Sequence, residues 1–143
     1  MDEHQPAVGV GALILSEDGR KILMSKRINS KVGNDTFGTV GGHVEYGEHP
    51  IDALKRECRE ELNITIKNIK FVHCMSMVKY GKHYIDLTFS ANVDGGVPEI
   101  MEPDKRVGLE WYALDALPEP VFEPVTIGLQ LYLSQTFYKE VTG

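Results

Sequence analysis

Residues 42 to 64 read GHVEYGEHPIDALKRECREELNI, and this stretch decides both the fold and the chemistry of the 143-residue chain. Pro50 suits the first position of a helix, where its missing N–H group costs nothing. Apolar residues recur at steps of three and four, the spacing of one helix face: Ile51, Leu54, Cys58 and Leu62. Asn63 follows and can adopt the left-handed conformation that ends many helices. The stretch therefore predicts a helix over residues 50 to 62, capped by Asn63.

Three glutamates of this helix, Glu57, Glu60 and Glu61, stand at i, i+3 and i+4, so they occupy neighbouring positions. We expect this carboxylate face to be separate from the apolar stripe. Two like charges ~4 Å apart repel by roughly 4 kcal/mol at an effective dielectric of about 20. A hard divalent cation with oxygen ligands would relieve that repulsion. The alternative interpretation is an ordinary solvated charged surface.

Composition narrows the class of protein. Hydrophobic residues at 42% and charged residues at 25% are ordinary for a globular protein, and the length predicts a single domain over residues 1–143. A net charge of -6 argues against a protein that grips duplex nucleic acid, which needs a basic surface. The acidic start MDEHQPAVG resembles no signal peptide, and no apolar run is long enough for a membrane. We expect a cytoplasmic protein with no membrane partner.

The rest of the chain predicts strands on both sides of this helix. Turn residues 16–19 separate two strands that we expect to pair, and the glycines at 41–42 are expected to interrupt a third strand. The predicted strands cover residues 7–15, 21–25, 37–44, 64–80, 83–93 and 106–113. Residues 27–36 predict an exposed loop, and residues 114–120 a helical turn followed by a loop.

A C-terminal amphipathic helix is predicted over residues 124–139, with Ile127, Leu131 and Ser134 on one side. With strands before and after the first helix, the fold class is α/β (α+β), with a mixed β-sheet flanked by helices.

Residues 42–64 resemble the signature of the Nudix hydrolase superfamily, and the order of elements resembles a Nudix domain over nearly the whole chain. Asn63 replaces the last glycine of the signature, and Val40 stands where many members have proline. The positions in register are Gly42, Glu48, Arg56, Glu57, Cys58, Glu60, Glu61 and Ile64. Eight matches at fixed spacing form a highly specific motif. The resemblance implies a Nudix-type α/β/α sandwich with a mixed sheet.

The resemblance also implies a reaction, because Nudix hydrolases cleave a pyrophosphate bond in nucleotides with Mg²⁺ or Mn²⁺. Such chemistry needs cations that neutralise phosphate charge and a water aimed in line. The implied metal ligands are Glu57, Glu60, Glu61 and the Gly41 carbonyl. Either Glu57 or Glu60 would take the proton of the attacking water.

Two further residues of the signature have implied supporting roles. Arg56 would orient Glu57, and Glu48 would brace the junction between the preceding loop and the helix. A surface ion pair between Glu48 and Arg56 is the alternative. An additional carboxylate from a later loop is also expected, and both Glu102 and Asp104 are candidates.

Four substrate-binding candidates lie outside the carboxylate helix, and Glu102 is one of them. His43 follows Gly42 and would face the substrate, or is simply a solvated polar residue. Arg27 ends a strand near the expected cleft and would meet phosphates, or serves only solubility. Phe122 would stack on a base, although core packing is the commoner role of a single aromatic residue.

The segment from Glu102 to Pro118 resembles the branch of the family related to MutT, which cleaves nucleoside triphosphates. The leading hypothesis is therefore hydrolysis of a nucleoside triphosphate, or a modified one, to the monophosphate and pyrophosphate. Alternatives are nucleoside diphosphate sugars such as ADP-ribose and dinucleoside polyphosphates. A nucleotide-binding sensor module is a non-enzyme alternative, disfavoured because Glu57, Glu60 and Glu61 are all retained. Small size and β-rich edges are compatible with a homodimer.

Overall fold

The computed structural model describes residues 5–143 and contains eight strands and two helices in that range. Residues 1–4, which include part of the predicted domain and of the acidic start, lie outside the described residues. In chain order the elements are β1 (Ala7–Ile14), β2 (Lys21–Arg27), β3 (Phe37–Gly38), β4 (Val40–His43), α1 (Pro50–Leu62), β5 (Thr65–Lys79), β6 (Lys82–Gly95), β7 (Arg106–Ala113), α2 (Glu123–Ser134) and β8 (Tyr138–Thr142).

The strands form two sheets. The larger, in the order β4-β1-β6-β5-β8, is mixed, because β1 runs parallel to β6 and antiparallel to β4. The smaller sheet, in the order β3-β2-β7, is antiparallel. The predicted α+β fold with a mixed sheet is confirmed. The expected pairing of the first two strands is wrong, because they meet only at the bridge between Leu15 and Ile22, and the turn between them leads from one sheet to the other.

Helix α1 covers the predicted residues Pro50–Leu62, and Asn63 adopts the left-handed conformation with φ 56°, as predicted. The expected separation of its faces is wrong. Ile51 is 41% exposed, whereas Glu61 is 4% exposed and shares the buried face with Cys58. Glu61 follows Cys58 by three residues, so the helical repeat turns it toward the protein interior.

The break predicted at Gly41–Gly42 lies instead at Thr39, between β3 and β4. Gly42 is required for another reason: a Cβ atom at this position would lie 2.3 Å from Oε1 of Glu57. The missing side chain thus lets α1 approach β4 closely enough for its carboxylates to reach the strand.

The predicted C-terminal helix is too long. Helix α2 ends at Ser134, Gln135 takes the left-handed conformation with φ 54°, and Tyr138–Thr142 forms β8 parallel to β5. Pairing with the open edge of β5 outweighs the helical pattern there, and the alternating segment suits a strand. The buried residues of α2 are Gly128, Leu129 and Leu131, so only Leu131 of the expected stripe is buried.

Helices α1 and α2 cover opposite faces of the larger sheet. Alternate residues of a strand point to opposite faces, and in β1 the residues packed on the α1 side are Val10, Ala12 and Ile14. Leu13 and Leu15 belong instead to the core that includes Leu129 of α2. No helix within residues 5–143 has the length and hydropathy to cross a membrane.

Candidate active site

Arg56 connects α1 to the loop that precedes it and to the end of β4. Its guanidinium donates to both carboxylate oxygens of Glu48, at 2.8 and 3.0 Å. It also donates to Glu57 Oε1 at 2.8 Å, to Glu60 Oε2 at 3.2 Å and to the His43 carbonyl at 3.0 Å. Glu48 first, then Glu57, raises the pKa of Arg56 above its ordinary value. Arg56 thus fixes two carboxylates of the predicted metal site relative to β4.

Glu48 lies where the sequence predicted it, at the junction of the loop and α1. Besides holding Arg56, its carboxylate accepts a hydrogen bond from the Glu45 backbone N–H at 3.1 Å. These contacts, led by Arg56, lower the pKa of Glu48. The pair between Glu48 and Arg56 therefore closes the loop on the helix.

Glu61 has a different counterion, Arg106, which starts β7 in the smaller sheet. Arg106 Nη2 lies 2.9 Å from Glu61 Oε1, and the Gly41 N–H donates to Oε2 at 3.3 Å. Burial raises the pKa of Glu61 well above its ordinary value, an effect that Arg106 opposes and Glu57 reinforces. A carboxylate this enclosed, beside a second carboxylate, is a place where a further positive charge would be stabilising.

The predicted metal ligands line one cleft of about 600 Å³, which we call the carboxylate cleft. It is bordered by Gly41, Glu57, Glu60, Glu61, Glu102 and Arg106. The glutamates and the Gly41 carbonyl offer only oxygen atoms, which are the ligands that Mg²⁺ and Mn²⁺ prefer. Within residues 5–143 no three His, Cys, Asp or Glu side chains are grouped as a metal site; the carboxylates pair with Arg56 and Arg106. The donor chemistry fits a hard cation, and the metal site stays a prediction.

Of the two later carboxylates, Glu102 lines the carboxylate cleft, whereas Asp104 is absent from its wall. Glu102 Oε2 lies 3.5 Å from Lys105 Nζ. Asp104 instead uses its backbone carbonyl, which accepts from Asn29 Nδ2 at 2.8 Å. Position therefore favours Glu102 as the additional carboxylate.

A second cavity of about 430 Å³ lies between the larger sheet and α2, and we call it the sheet cavity. Its floor includes Gly9, Gly11, His73, Met75, Asp86 and Thr88. It shares a wall with the carboxylate cleft that includes Arg27, Lys31, Gly41, Gly42, His43 and Arg106. The two cavities are thus neighbours.

The three predicted substrate-binding residues other than Glu102 lie at the sheet cavity. The His43 ring stacks on Tyr84, with centroids 5.7 Å apart. The Arg27 guanidinium lies 4.1 Å from the centre of the Phe122 ring, an arrangement that favours a cation–π contact. Phe37 lies outside this cavity and packs on Tyr112 in the core.

Sequence reasoning missed Arg106, Asp86 and His73. Burial raises the pKa of Asp86 to about 6 and lowers that of His73 to about 4. The available signal was the alternation in YIDLTFS, residues 84–90, which places a polar residue at every second position of a long strand. Arg106 offered no signal, because its partner Glu61 is distant in sequence.

Comparison with known proteins agrees with this fold and site. The family model described as the NUDIX domain matches residues 5–128. A MutT NUDIX hydrolase from Burkholderia pseudomallei has a similar structure, with a TM-score of 0.83, 32% identity, and coverage of 90% of this chain and 98% of that one. The chain therefore belongs to the Nudix family. Enzymes of this family act on nucleotide pyrophosphates, generally with divalent metal ions.

Similar curated proteins include NAD-capped RNA hydrolases named NudC. The one from Pseudomonas putida KT2440 is 30% identical over 115 residues, which is 79% of this chain and 39% of that protein. The one from Yersinia pestis Pestoides F is 30% identical over 118 residues, which is 82% of this chain and 43% of that protein. The chain thus spans about two fifths of the length of these relatives.

Proposed function

We propose that this chain hydrolyses a pyrophosphate bond of a nucleoside triphosphate, or of a modified one, and releases the nucleoside monophosphate and pyrophosphate. The observation that carries the proposal is the wall shared by the sheet cavity and the carboxylate cleft, which includes Gly41, Gly42 and His43. A nucleotide whose base enters the sheet cavity would bring its phosphates directly to the glutamates. This adjacency suits a molecule in which only one sugar separates the base from a chain of phosphates.

The charges of the carboxylate cleft support a polyphosphate ligand. Arg27, Lys31, Lys105 and Arg106 line it, although the whole chain carries a net charge of -6. Arginine binds phosphate through two parallel hydrogen bonds, and lysine as a point charge. Local cations can therefore hold the phosphates where the overall charge would repel them.

Mg²⁺, or Mn²⁺ in its place, would supply neutralisation of phosphate charge when held by Glu57, Glu60, Glu61 and the Gly41 carbonyl. Arg56, which Glu48 holds in place, fixes the Glu57 carboxylate at 2.8 Å. Glu57 or Glu60 accepts the proton of the attacking water. The water oxygen bonds to the phosphorus nearest the sugar as the bond from that phosphorus to the bridging oxygen breaks, so the nucleoside monophosphate forms and pyrophosphate leaves.

Dinucleotides such as NAD⁺ form a second candidate class, because the NudC relatives are named for hydrolysis of NAD-capped RNA. Sugar nucleotides and dinucleoside polyphosphates are further alternatives. All of them contain a second bulky group beyond the pyrophosphate, which would have to leave through the open side of the carboxylate cleft.

A substrate panel with Mg²⁺ tests the proposal. We expect the deoxynucleoside and nucleoside triphosphates to be hydrolysed with higher kcat/KM than ADP-ribose, NAD⁺ or diadenosine polyphosphates. Product analysis should find pyrophosphate rather than orthophosphate. A clear preference for NAD⁺ or ADP-ribose would overturn the proposed substrate while leaving the family assignment intact.

The same assay tests the metal site. We expect chelation to abolish hydrolysis, and Glu60→Gln or Glu61→Gln to lower kcat/KM by about hundredfold or more, because even residues that only support a metal ligand commonly contribute 10–100-fold. Glu110→Gln is the matched control, since Glu110 is exposed on β7 and lies outside the carboxylate cleft. Turnover that persists in chelator would refute metal-dependent hydrolysis.

A further inference from the structure

The face of β6 that lines the sheet cavity is polar where an apolar face is expected. β6 lies between β1 and β5, and interior strands covered on both faces are normally apolar on both. On the α1 side, Leu87 and Phe89 pack in the core. On the opposite side, Asp86 and Thr88 line the sheet cavity instead. The alternation thus builds a dry core on one face and a polar floor on the other.

Asp86 is a carboxylate that forms no pair with a cation of residues 5–143. Its Oδ2 accepts a hydrogen bond from Thr88 Oγ1 at 3.2 Å, and no ion pair to Asp86 is formed within residues 5–143. An enclosed carboxylate without a counterion is costly. Burial raises the pKa of Asp86 to about 6, so the group is still mostly ionised at neutral pH. Such a residue indicates a functional site rather than a contribution to packing.

Two glycines of β1 keep the space above Asp86 open. In the parallel register Gly9 lies beside Asp86 and Gly11 beside Thr88. A Cβ atom would lie 3.8 Å from Asp86 Oδ1 if added at Gly9, and 3.9 Å from it if added at Gly11. At Gly11 it would also lie 3.1 Å from Thr88 Oγ1. The bare backbone therefore leaves a flat surface beside the carboxylate, as a planar ring requires.

The chemistry of a carboxylate selects among the bases. An ionised carboxylate only accepts hydrogen bonds, and its two oxygens can take two adjacent N–H groups together. Guanine presents such a pair, its N1–H and its 2-amino group. Adenine and cytosine present an amino group beside a bare ring nitrogen, which would face a carboxylate oxygen unfavourably. Uracil and thymine present one N–H between two carbonyls.

We propose that Asp86 determines base specificity by accepting hydrogen bonds from the N1–H and 2-amino groups of a guanine-type base held over Gly9 and Gly11. The inference rests on the proposed function, because the base reaches Asp86 only when its phosphates lie in the carboxylate cleft. Asp86 lines the sheet cavity and is absent from the wall of the carboxylate cleft, which Glu57 and Glu60 line, so it acts on binding and leaves the cleavage step to the glutamates.

The test compares dGTP with dITP, whose hypoxanthine base lacks only the 2-amino group. We expect the wild-type protein to hydrolyse dGTP with a kcat/KM about tenfold or more above that for dITP, the usual loss for one hydrogen bond to a charged group. Asp86→Asn should bring the ratio to within about threefold, mainly through a higher KM for dGTP, because an amide cannot accept both donors. Asp94→Asn, on the exposed end of the same strand, is the matched control and should keep the wild-type ratio.

Binding of GMP and IMP, measured by calorimetry, separates this inference from the proposed function. If triphosphates are hydrolysed but Asp86→Asn leaves the ratio of kcat/KM for dGTP and dITP unchanged, base selection by Asp86 is wrong and the proposed function stands. Suppose instead that triphosphates are not hydrolysed, yet GMP binds about tenfold more tightly than IMP only when Asp86 is present. The proposed function is then wrong, and base selection by Asp86 stands. Gly11→Ala, which places a methyl group beside Asp86, is a second variant. It should weaken the binding of GMP and of IMP to the same extent.

Discussion

The two faces of the larger sheet are built by the same strands, but the face toward α2 carries a polar cavity beside its apolar core. The face under α1 is apolar and fully enclosed, with side chains from Val10, Ala12, Ile14, Phe89 and Ala91. The face toward α2 carries Gly9, Gly11, His73, Asp86 and Thr88 around a cavity. Successive residues of β1 and β6 point to opposite faces of the sheet. Adjacent residues of one strand therefore belong to different surfaces, one structural and the other suited to binding.

The fold thus places side chains that mainly stabilise the protein on one face of the sheet, and side chains suited to binding on the other. The α1 face stabilises the protein through apolar burial, which does not depend on pH. The α2 face encloses Asp86 and His73, both with shifted pKa values, and each shift records a stability cost at some pH. Truncations of apolar side chains on the α1 face should therefore change stability at every pH, whereas substitutions of Asp86 or His73 should change it over a limited pH range.

The largest expected effect is on the α1 face. Leu54 is fully buried in α1, and Leu54→Ala should lower the free energy of unfolding by about 2–5 kcal/mol through lost burial and a cavity. Urea unfolding at pH 6 and pH 8 should give the same loss. Ile51→Ala is the matched control, because Ile51 is 41% exposed on the same helix and should cost much less. A loss that changed strongly with pH would contradict the division between the two faces.

Local sequence predicted the α1 side of the molecule well. The bounds of α1, the left-handed Asn63 and the contact of Arg56 with Glu48 all follow from spacing within residues 42–64. Helical periodicity and capping act over a few residues, so a short stretch contains the information. Ile51 and Glu61 exchanged their expected environments, because which edge of a helix is buried depends on the partner sheet.

Features that depend on contacts between distant segments were poorly predicted, most of them on the α2 side. The ion pair of Arg106 with Glu61 joins β7 to α1, and no spacing rule relates the two residues. The sheet cavity needs β1, β5, β6 and α2 in register, and β8 replaced the end of a predicted helix only because β5 offered an edge. Sequence pattern gives periodicity, whereas these features require the topology.

His73 gives the next largest effect, on the α2 face. Burial lowers the pKa of His73 from 6.5 to about 4, so below pH 6.5 the unfolded chain binds a proton that the folded chain binds only near pH 4. Stability is therefore lost as pH falls from about 6.5 to 4, by at most roughly 3 kcal/mol. Urea unfolding should show that the free energy of unfolding falls less between pH 7.5 and pH 5 in His73→Gln than in the wild type. His49→Gln, at an exposed histidine, should follow the wild type.

Asp86 gives the smallest expected effect on stability. Its pH dependence has the opposite sign to that of His73. Burial raises the pKa of Asp86 from 3.8 to about 6. The folded state therefore gains stability from Asp86 below pH 3.8 and loses it as pH rises through about 6. At pH 8, Asp86→Asn should raise the free energy of unfolding by at most about 3 kcal/mol, with a smaller difference at pH 4.5.

Asp94→Asn should change the free energy of unfolding by less than about 0.5 kcal/mol at both pH values, because Asp94 is exposed and ordinary surface substitutions have effects of that size. If Asp86→Asn stabilises the protein at pH 8 while the dGTP preference falls, the carboxylate is retained against its stability cost, as expected of a binding residue. If Asp86→Asn destabilises the protein at pH 8, the hydrogen bond with Thr88 outweighs burial, and Asp86 belongs with the structural face despite its place at the cavity floor.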